Sequence, residues 1–257
     1  MLGAIAGDII GSRFEHAPIK TVEFELFTGA SCFTDDTVLT VAVADGIYNG
    51  VGYADMLKAY FRRYPNAGYG GGFLQWAQSD STEPYNSWGN GSAMRVSPIG
   101  FAFDSLEEVL REAEKSAAVT HNHPEGIKGA QATALAVFLA RTGVNKDALA
   151  AEVASRFGYD LSTPLDVLRR DHAFDVSCQG TVPPALRAFL ESVDFEDAVR
   201  RAISLGGDSD TLACIAGGIA HAFYRQIPDR IVDAVLERLD SPLRRVVTLF
   251  CNRYGCL

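Results

Sequence analysis

Two acidic clusters stand far apart in the chain, Thr34-Asp35-Asp36-Thr37 and Gly206-Gly207-Asp208-Ser209-Asp210-Thr211, and each opens a run of apolar residues at helical spacing. Behind the first come Val38, Leu39, Val41, Ala42, Val43 and Ile47; behind the second come Leu212, Ala213, Ile215, Ala216, Ile219, Ala220 and Phe223. Asp and Thr are common at helix starts, because their oxygens accept free backbone N–H groups and a carboxylate complements the helix dipole. Only one residue per helix fills the cap position, so four carboxylates in two clusters leave a surplus with another purpose. Carboxylate and hydroxyl oxygens are the ligands that hard divalent cations such as Mg²⁺ and Mn²⁺ select, and neither cluster offers the His and Cys ligands of structural zinc. Four negative charges gathered in one place repel unless cations neutralise them. Both clusters therefore read as halves of one metal site.

The elements that must position them follow from periodicity. Leu2, Ile5, Ala6, Ile9 and Ile10 predict a first helix, with Gly3, Gly7 and Gly11 on an opposing stripe that lets another backbone come close. Lys20 to Leu26 alternates as a short strand or an extended loop does. An amphipathic helix is expected over 53–64, closed by Pro65. From Gly70 to Arg95 the composition changes to turn formers; glycine-rich turns ahead of a helix can present N–H groups to an anion, although most bind nothing. Ser105-Leu106-Glu107-Glu108 is a capping box for a helix to about Thr120, and Pro124 suits the first turn of a helix reaching Arg141. His121 and His123 lack the i, i+4 spacing of a zinc-binding pair and read as the polar wall of a pocket. Further helices are expected over 145–158, 194–205, 228–239 and 242–254. The span 161–184, with Pro164 and Pro183-Pro184, reads as irregular, its His172 and Asp175 as surface or structural residues. Gly217 and Gly218 with Ala213, Ala216 and Ala220 make a small-residue face for close packing, and His221 reads as a satisfied core histidine. Nine or so helices, at most one extended pair and no repeat of 20 to 50 residues make the class all-α.

Composition bounds the rest. A chain of 257 residues, 47% hydrophobic and without a Pro-, Ser- or charge-rich linker, is expected to form one domain over 1–257. With a net charge of −9, an electrostatic nucleic-acid footprint is not expected. The five cysteines show no pairable pattern, which fits a reducing compartment. The apolar N-terminus carries Asp8 and no basic flank, so it does not read as a signal peptide. No apolar stretch reaches the roughly 20 residues of a membrane span, and a cytoplasmic monomer is the expectation.

The motifs, taken in order, resemble the ADP-ribosylglycohydrolases. The match runs through Gly3-Ala4-Ile5-Ala6-Gly7-Asp8, Phe33-Thr34-Asp35-Asp36-Thr37, Gly89-Asn90-Gly91-Ser92-Ala93-Met94-Arg95, Thr120-His121 and Gly206-Gly207-Asp208-Ser209-Asp210-Thr211. The resemblance implies a compact orthogonal multi-helix bundle with a binuclear metal cleft holding two cations, Mg²⁺ or Mn²⁺. Carried over residue by residue, it makes Thr34, Asp35, Asp36, Asp208, Asp210 and Thr211 the metal ligands. It places Glu15 near the metals, on a mobile segment after the first helix. Ser87, Trp88, Gly89 and Gly91 fall in the loop that holds the diphosphate and stacks the adenine, and His121 where a histidine contacts the distal ribose and phosphate. The implied reaction is hydrolysis of the glycosidic bond between ADP-ribose and an acceptor, either a protein Arg or Ser side chain or a small ADP-ribose derivative. Glu15 and Asp36 are the carboxylates able to take a proton from the attacking water. Ser79 to Tyr85 has no aromatic where some relatives supply a second adenine partner, and Tyr85 is the available substitute. Two other readings use the same residues. Paired cations also suit a nucleotide or phosphoester hydrolase, and a catalytically silent ADP-ribose-binding or structural relative would keep the fold, although all six ligands are present here.

Overall fold

Residues 1–256 are described by a computed structural model, in which the first helix, α1 (Leu2–Gly11), is buried along its whole length. After it come α2 (Asp35–Asn49), α3 (Tyr53–Arg63), α4 (Gly71–Gln78), α5 (Gly91–Met94), α6 (Ser97–Ala102), α7 (Leu106–Ala118) and α8 (Pro124–Arg141). The second half contains α9 (Lys146–Phe157), α10 (Leu165–Asp171), α11 (Cys178–Glu191), α12 (Phe195–Ile203), α13 (Ser209–Tyr224), α14 (Asp229–Arg238) and α15 (Ser241–Tyr254). Among the described residues no strand forms, and an isolated bridge joins Gly89 to Ser177. The all-α expectation holds. No helix among them is long and apolar enough to cross a membrane.

Two features of α1 position the acidic clusters. Its glycine stripe lies against α13 so closely that a Cβ on Gly11 would stand 2.6 Å from the Asp210 Cα, and one on Gly3 or Gly7 would collide with the main chain of Gly217 or Ala213. The close approach buries α13 from Ser209 to Ala222 and fixes the backbone that carries Asp210. Gly7→Ala is expected to cost about 3 kcal/mol, as overpacking against rigid backbone does, and urea unfolding checks it. The second feature is Asp8, wholly buried, whose carboxylate accepts from Thr34 N (3.0 Å), Thr34 Oγ1 (2.8 Å), Thr37 N (3.0 Å) and Thr37 Oγ1. It holds the start of α2. One helix thus anchors both acidic helix N-termini.

The span 161–184 departs from its irregular reading. It contains α10 and the first half of α11, with Pro183 and Pro184 inside the helix. Each proline removes a helix hydrogen bond, but burial of Val182, Pro184, Ala185, Leu186 and Phe189 against the core outweighs the loss. Lys20 to Leu26 takes the extended-loop alternative, its carbonyls satisfied by side chains instead of a neighbouring strand. Arg200 donates to Val22 O and Phe24 O, Arg13 donates to Glu25 O, and Lys20 Nζ reaches on to His172 O and Leu205 O. All five cysteines are free, and two of them come close. α15 ends at Gly255 in the left-handed region, Cys256 N bonds Cys251 O (3.1 Å), and the two free thiols meet at 2.7 Å. His221 is a satisfied core histidine, its Nδ1 accepting from Gly3 N.

Candidate active site

A cavity of about 630 Å³ opens between the N-termini of α2 and α13, the turn before α5 and the segment leading into α11. Its walls include every residue that the resemblance assigns to the site: Glu15, Thr34, Asp35, Asp36, Asp208, Asp210 and Thr211 at one end, and Ser87, Trp88, Gly89, Gly91 and His121 at the other. The two acidic clusters meet directly, for Thr211 Oγ1 donates to Asp36 Oδ2 (3.2 Å) from 175 positions away.

At the acidic end the helix caps leave the carboxylates free. Thr34 caps α2 by accepting from Asp36 N (3.2 Å) and donates its hydroxyl proton to Asp8. Asp208 takes the cap position of α13 without a side-chain cap bond; instead Asn90 Nδ2 donates to its Oδ2 (2.6 Å) and to Thr181 Oγ1 (3.0 Å). The chain reaches Asp208 through Gly206 and Gly207, both at positive φ, and a Cβ on Gly207 would stand 2.7 Å from Ala173 O. Glu15, Asp208 and Asp210 bring carboxylate oxygens within 4.8 Å of one another.

Burial and mutual repulsion govern the charges. Burial first, then the neighbouring Asp8 and Asp208, pushes the Asp35 carboxyl up to about 8; burial, offset in part by its hydrogen bonds to Thr34 and Thr37, leaves that of Asp8 at about 6. Asp36 and Asp210 are raised well above the usual carboxylate range by burial and by the other aspartates, and Glu15 is raised by burial and by Asp208. The Oδ1 atoms of Asp36 and of Asp210 are buried without a hydrogen-bond partner. A buried, unpartnered carboxylate oxygen is costly. Convergent orphaned oxygens from two helix N-termini fit a hard divalent cation, so the donor set passes on chemistry as well as on spacing.

At the opposite end the glycine-rich turn behaves as most such turns do. Its N–H groups are largely engaged: Gly89 N donates to Ser87 Oγ (3.0 Å), Asn90 N to Val176 O (2.7 Å) and Asn86 N to Asn122 Oδ1 (2.8 Å). The positive charge comes from Arg95, a wall residue that is wholly buried and has no carboxylate partner among the described residues. Its Nη2 donates to Ser116 O (2.6 Å) and Thr120 Oγ1 (2.9 Å), while Nε and Nη1 have no protein partner. The two histidines divide. His121 is buried on the cavity wall, whereas His123 caps α8 by accepting from Glu125 N (3.1 Å) and meets the Trp88 ring edge-on. At the mouth, Trp88, Phe174 and Val176 are 54%, 56% and 51% exposed, an apolar rim on a polar cleft. Asp175 and His172 do not line the cavity; Asp175 Oδ1 accepts from Ser177 N (2.7 Å) near the start of α11.

Asp8, Asn90, Arg95 and Phe174 were not assigned roles from sequence. A carboxylate set among the apolar and glycine residues of α1 is the signal by which Asp8 could have been found, and a lone arginine between Met94 and Val96 the one for Arg95. Phe174 lay in the span read as irregular and carried no such mark.

The sequence model of the ADP-ribosylglycohydrolase family matches residues 1–254. The ADP-ribosylhydrolase ARH3 of Mus musculus is 28% identical over an alignment covering 89% of this chain and 84% of the relative. The ADP-ribosylarginine hydrolase Tri1 of Pseudomonas putida (strain GB-1) is 27% identical, with 87% and 69% covered. A solved structure described as an ADP-ribosylglycohydrolase-related protein complex superimposes with a TM-score of 0.75 at 26% identity, covering 99% of this chain and 96% of the other.

Proposed function

Because this chain belongs to the ADP-ribosylglycohydrolase family, we propose that its cleft hydrolyses the glycosidic bond between the distal ribose of ADP-ribose and an acceptor, releasing ADP-ribose. The observation that carries the reading is the polarity of the cavity, with five carboxylates at one end and the buried, unpaired Arg95 behind the other. A ligand with a ribose at one end and an anionic diphosphate in the middle matches that polarity.

Thr34, Asp35, Asp36, Asp208, Asp210 and Thr211 would hold two divalent cations, Mg²⁺ or Mn²⁺, which supply Lewis acidity to the ribose hydroxyls and make a nearby water more acidic. The chain's own groups do the rest. Glu15 and Asp36 carry carboxyl groups of raised pKa beside the acidic end, the property wanted in a group that takes a proton from attacking water. The carboxylates also stabilise positive charge as the ribose acquires oxocarbenium character. Trp88 offers a π-face for the adenine, and Tyr85 and Phe174, which line the same cavity, are the aromatics available as a second partner. Ser87, Gly89, Gly91 and His121 line the path between base and ribose.

Trp88→Ala is expected to weaken ADP-ribose binding by about 1–3 kcal/mol without affecting the fold, because the ring is already half exposed; calorimetric titration reads it. The reaction itself is tested by product identity with Arg-linked, Ser-linked and O-acetyl-ADP-ribose substrates. A glycosidic hydrolase leaves intact ADP-ribose, whereas AMP with a ribose 5-phosphate still attached to the acceptor would assign the cleft to phosphoester chemistry.

A further inference from the structure

A wholly buried hydroxyl connects Arg95 to His121. Thr120 Oγ1 accepts from Arg95 Nη2 at 2.9 Å and lies 2.7 Å from His121 Nδ1. A threonine hydroxyl has one proton to give. The Arg95 guanidinium offers no atom to accept it, and the only other polar atom bonded to Thr120 Oγ1 among the described residues is His121 Nδ1. If Nδ1 carried the proton, the oxygen would accept twice and leave its own hydrogen buried and unpaired, a cost that native interiors avoid. The hydroxyl therefore donates to Nδ1, which leaves the ring proton on Nε2.

Nε2 points to the cleft. A Cβ on Gly91 would come within 3.1 Å of it and one on Gly89 within 3.5 Å, so the two glycines clear the space in front of that nitrogen. We infer that Arg95 and Thr120 are positioning residues that lock His121 as the neutral Nε2–H tautomer, giving the cleft a fixed hydrogen-bond donor for an anionic oxygen of the bound ligand. Arg95 orients the hydroxyl, the hydroxyl selects the tautomer, and the imidazole presents the proton. Burial and the adjacent guanidinium also keep the ring from taking a second proton, holding its pKa well below the usual histidine value. That the anionic oxygen belongs to ADP-ribose rests on the functional reading above; the tautomer does not.

The test separates the two. In ¹⁵N-histidine-labelled full-length protein, long-range ¹H–¹⁵N correlation should show His121, identified by its loss in His121→Gln, as the Nε2–H tautomer. Thr120→Ser should keep that pattern, and Thr120→Val should give a mixture of tautomers. With ADP-ribose as the probe, Thr120→Val should bind roughly tenfold more weakly and Thr120→Ser nearly as the parent does, as expected for loss of one hydrogen bond to a charged group. A parent His121 protonated on Nδ1 or on both nitrogens overturns the inference, and so does a Thr120→Val protein whose tautomer is unchanged. The expected tautomer with undiminished ADP-ribose binding in Thr120→Val overturns the donor role. Failure of the parent to bind ADP-ribose at all counts against the functional reading, and the spectra still decide the tautomer.

Discussion

Asp210→Asn should fold as the parent does and lose at least roughly a thousandfold in turnover, the scale of a catalytic term worth several kcal/mol. The carboxylate is buried, its Oδ1 has no partner, and one of its oxygens lies within 4.8 Å of oxygens of Glu15 and Asp208. An amide of the same shape keeps the packing beneath α1, where Gly11 meets the Asp210 backbone, but it provides a poorer ligand without charge. Removing one of several mutually repelling buried carboxylates should also raise the melting temperature of the cation-free protein. Lost activity with gained stability is a combination that general damage does not produce. Circular dichroism with a turnover assay checks both, and an active Asp210→Asn would remove the residue from the site.

The second large effect concerns pH and cations together. Asp8 and Asp35 have folded-state pKa values of about 6 and about 8, above the 3.8 of an unperturbed aspartate. Between those values and 3.8 the folded chain binds more protons than the unfolded one, so stability from these groups is fully present below pH 3.8 and is lost as pH rises, through about 6 for Asp8 and about 8 for Asp35. The cation-free protein should therefore melt lower at pH 8 than at pH 6 by more than an Asp35→Asn variant does. Cations act in the opposite direction. At a hundredfold excess over the dissociation constant, one bound Mn²⁺ adds about 2.7 kcal/mol, or roughly 5–10 °C for a chain of this size. Scanning calorimetry of parent and variant, with Mn²⁺ or chelator, reads both effects. An equal pH dependence in the two proteins would show that Asp35 is not strained by its neighbours.

Much of the site was legible because its chemistry is concentrated. Four carboxylates at two helix starts exceed what capping requires, and that surplus located both halves of the cleft without any knowledge of how the chain folds. The glycine stripe of the first helix likewise announced a close partner, and α13 is that partner. What brings the halves together was less visible. Asp8 bonds residues 26 and 29 positions away, and Asn90 reaches Asp208 across 118, so their roles depend on tertiary contacts that no local pattern encodes. α11 was hidden by Pro183 and Pro184, whose local preference is outweighed by burial. The source of positive charge was not legible for a related reason. A glycine-rich turn offers N–H groups in isolation, but Ser87 Oγ and Val176 O occupy two of them, and the cation is the buried Arg95.

One measurement bears most directly on the claim that the two acidic helix starts form a cation site for glycosidic hydrolysis. Parent protein would be incubated with Arg-linked, Ser-linked and O-acetyl-ADP-ribose substrates in Mg²⁺, in Mn²⁺ and in chelator, and free ADP-ribose followed over time. Release from at least one substrate that is abolished by chelator and restored by added cation is the predicted result. Release that proceeds unchanged in chelator, or ADP-ribose bound tightly with no release from any substrate under any condition, would contradict it.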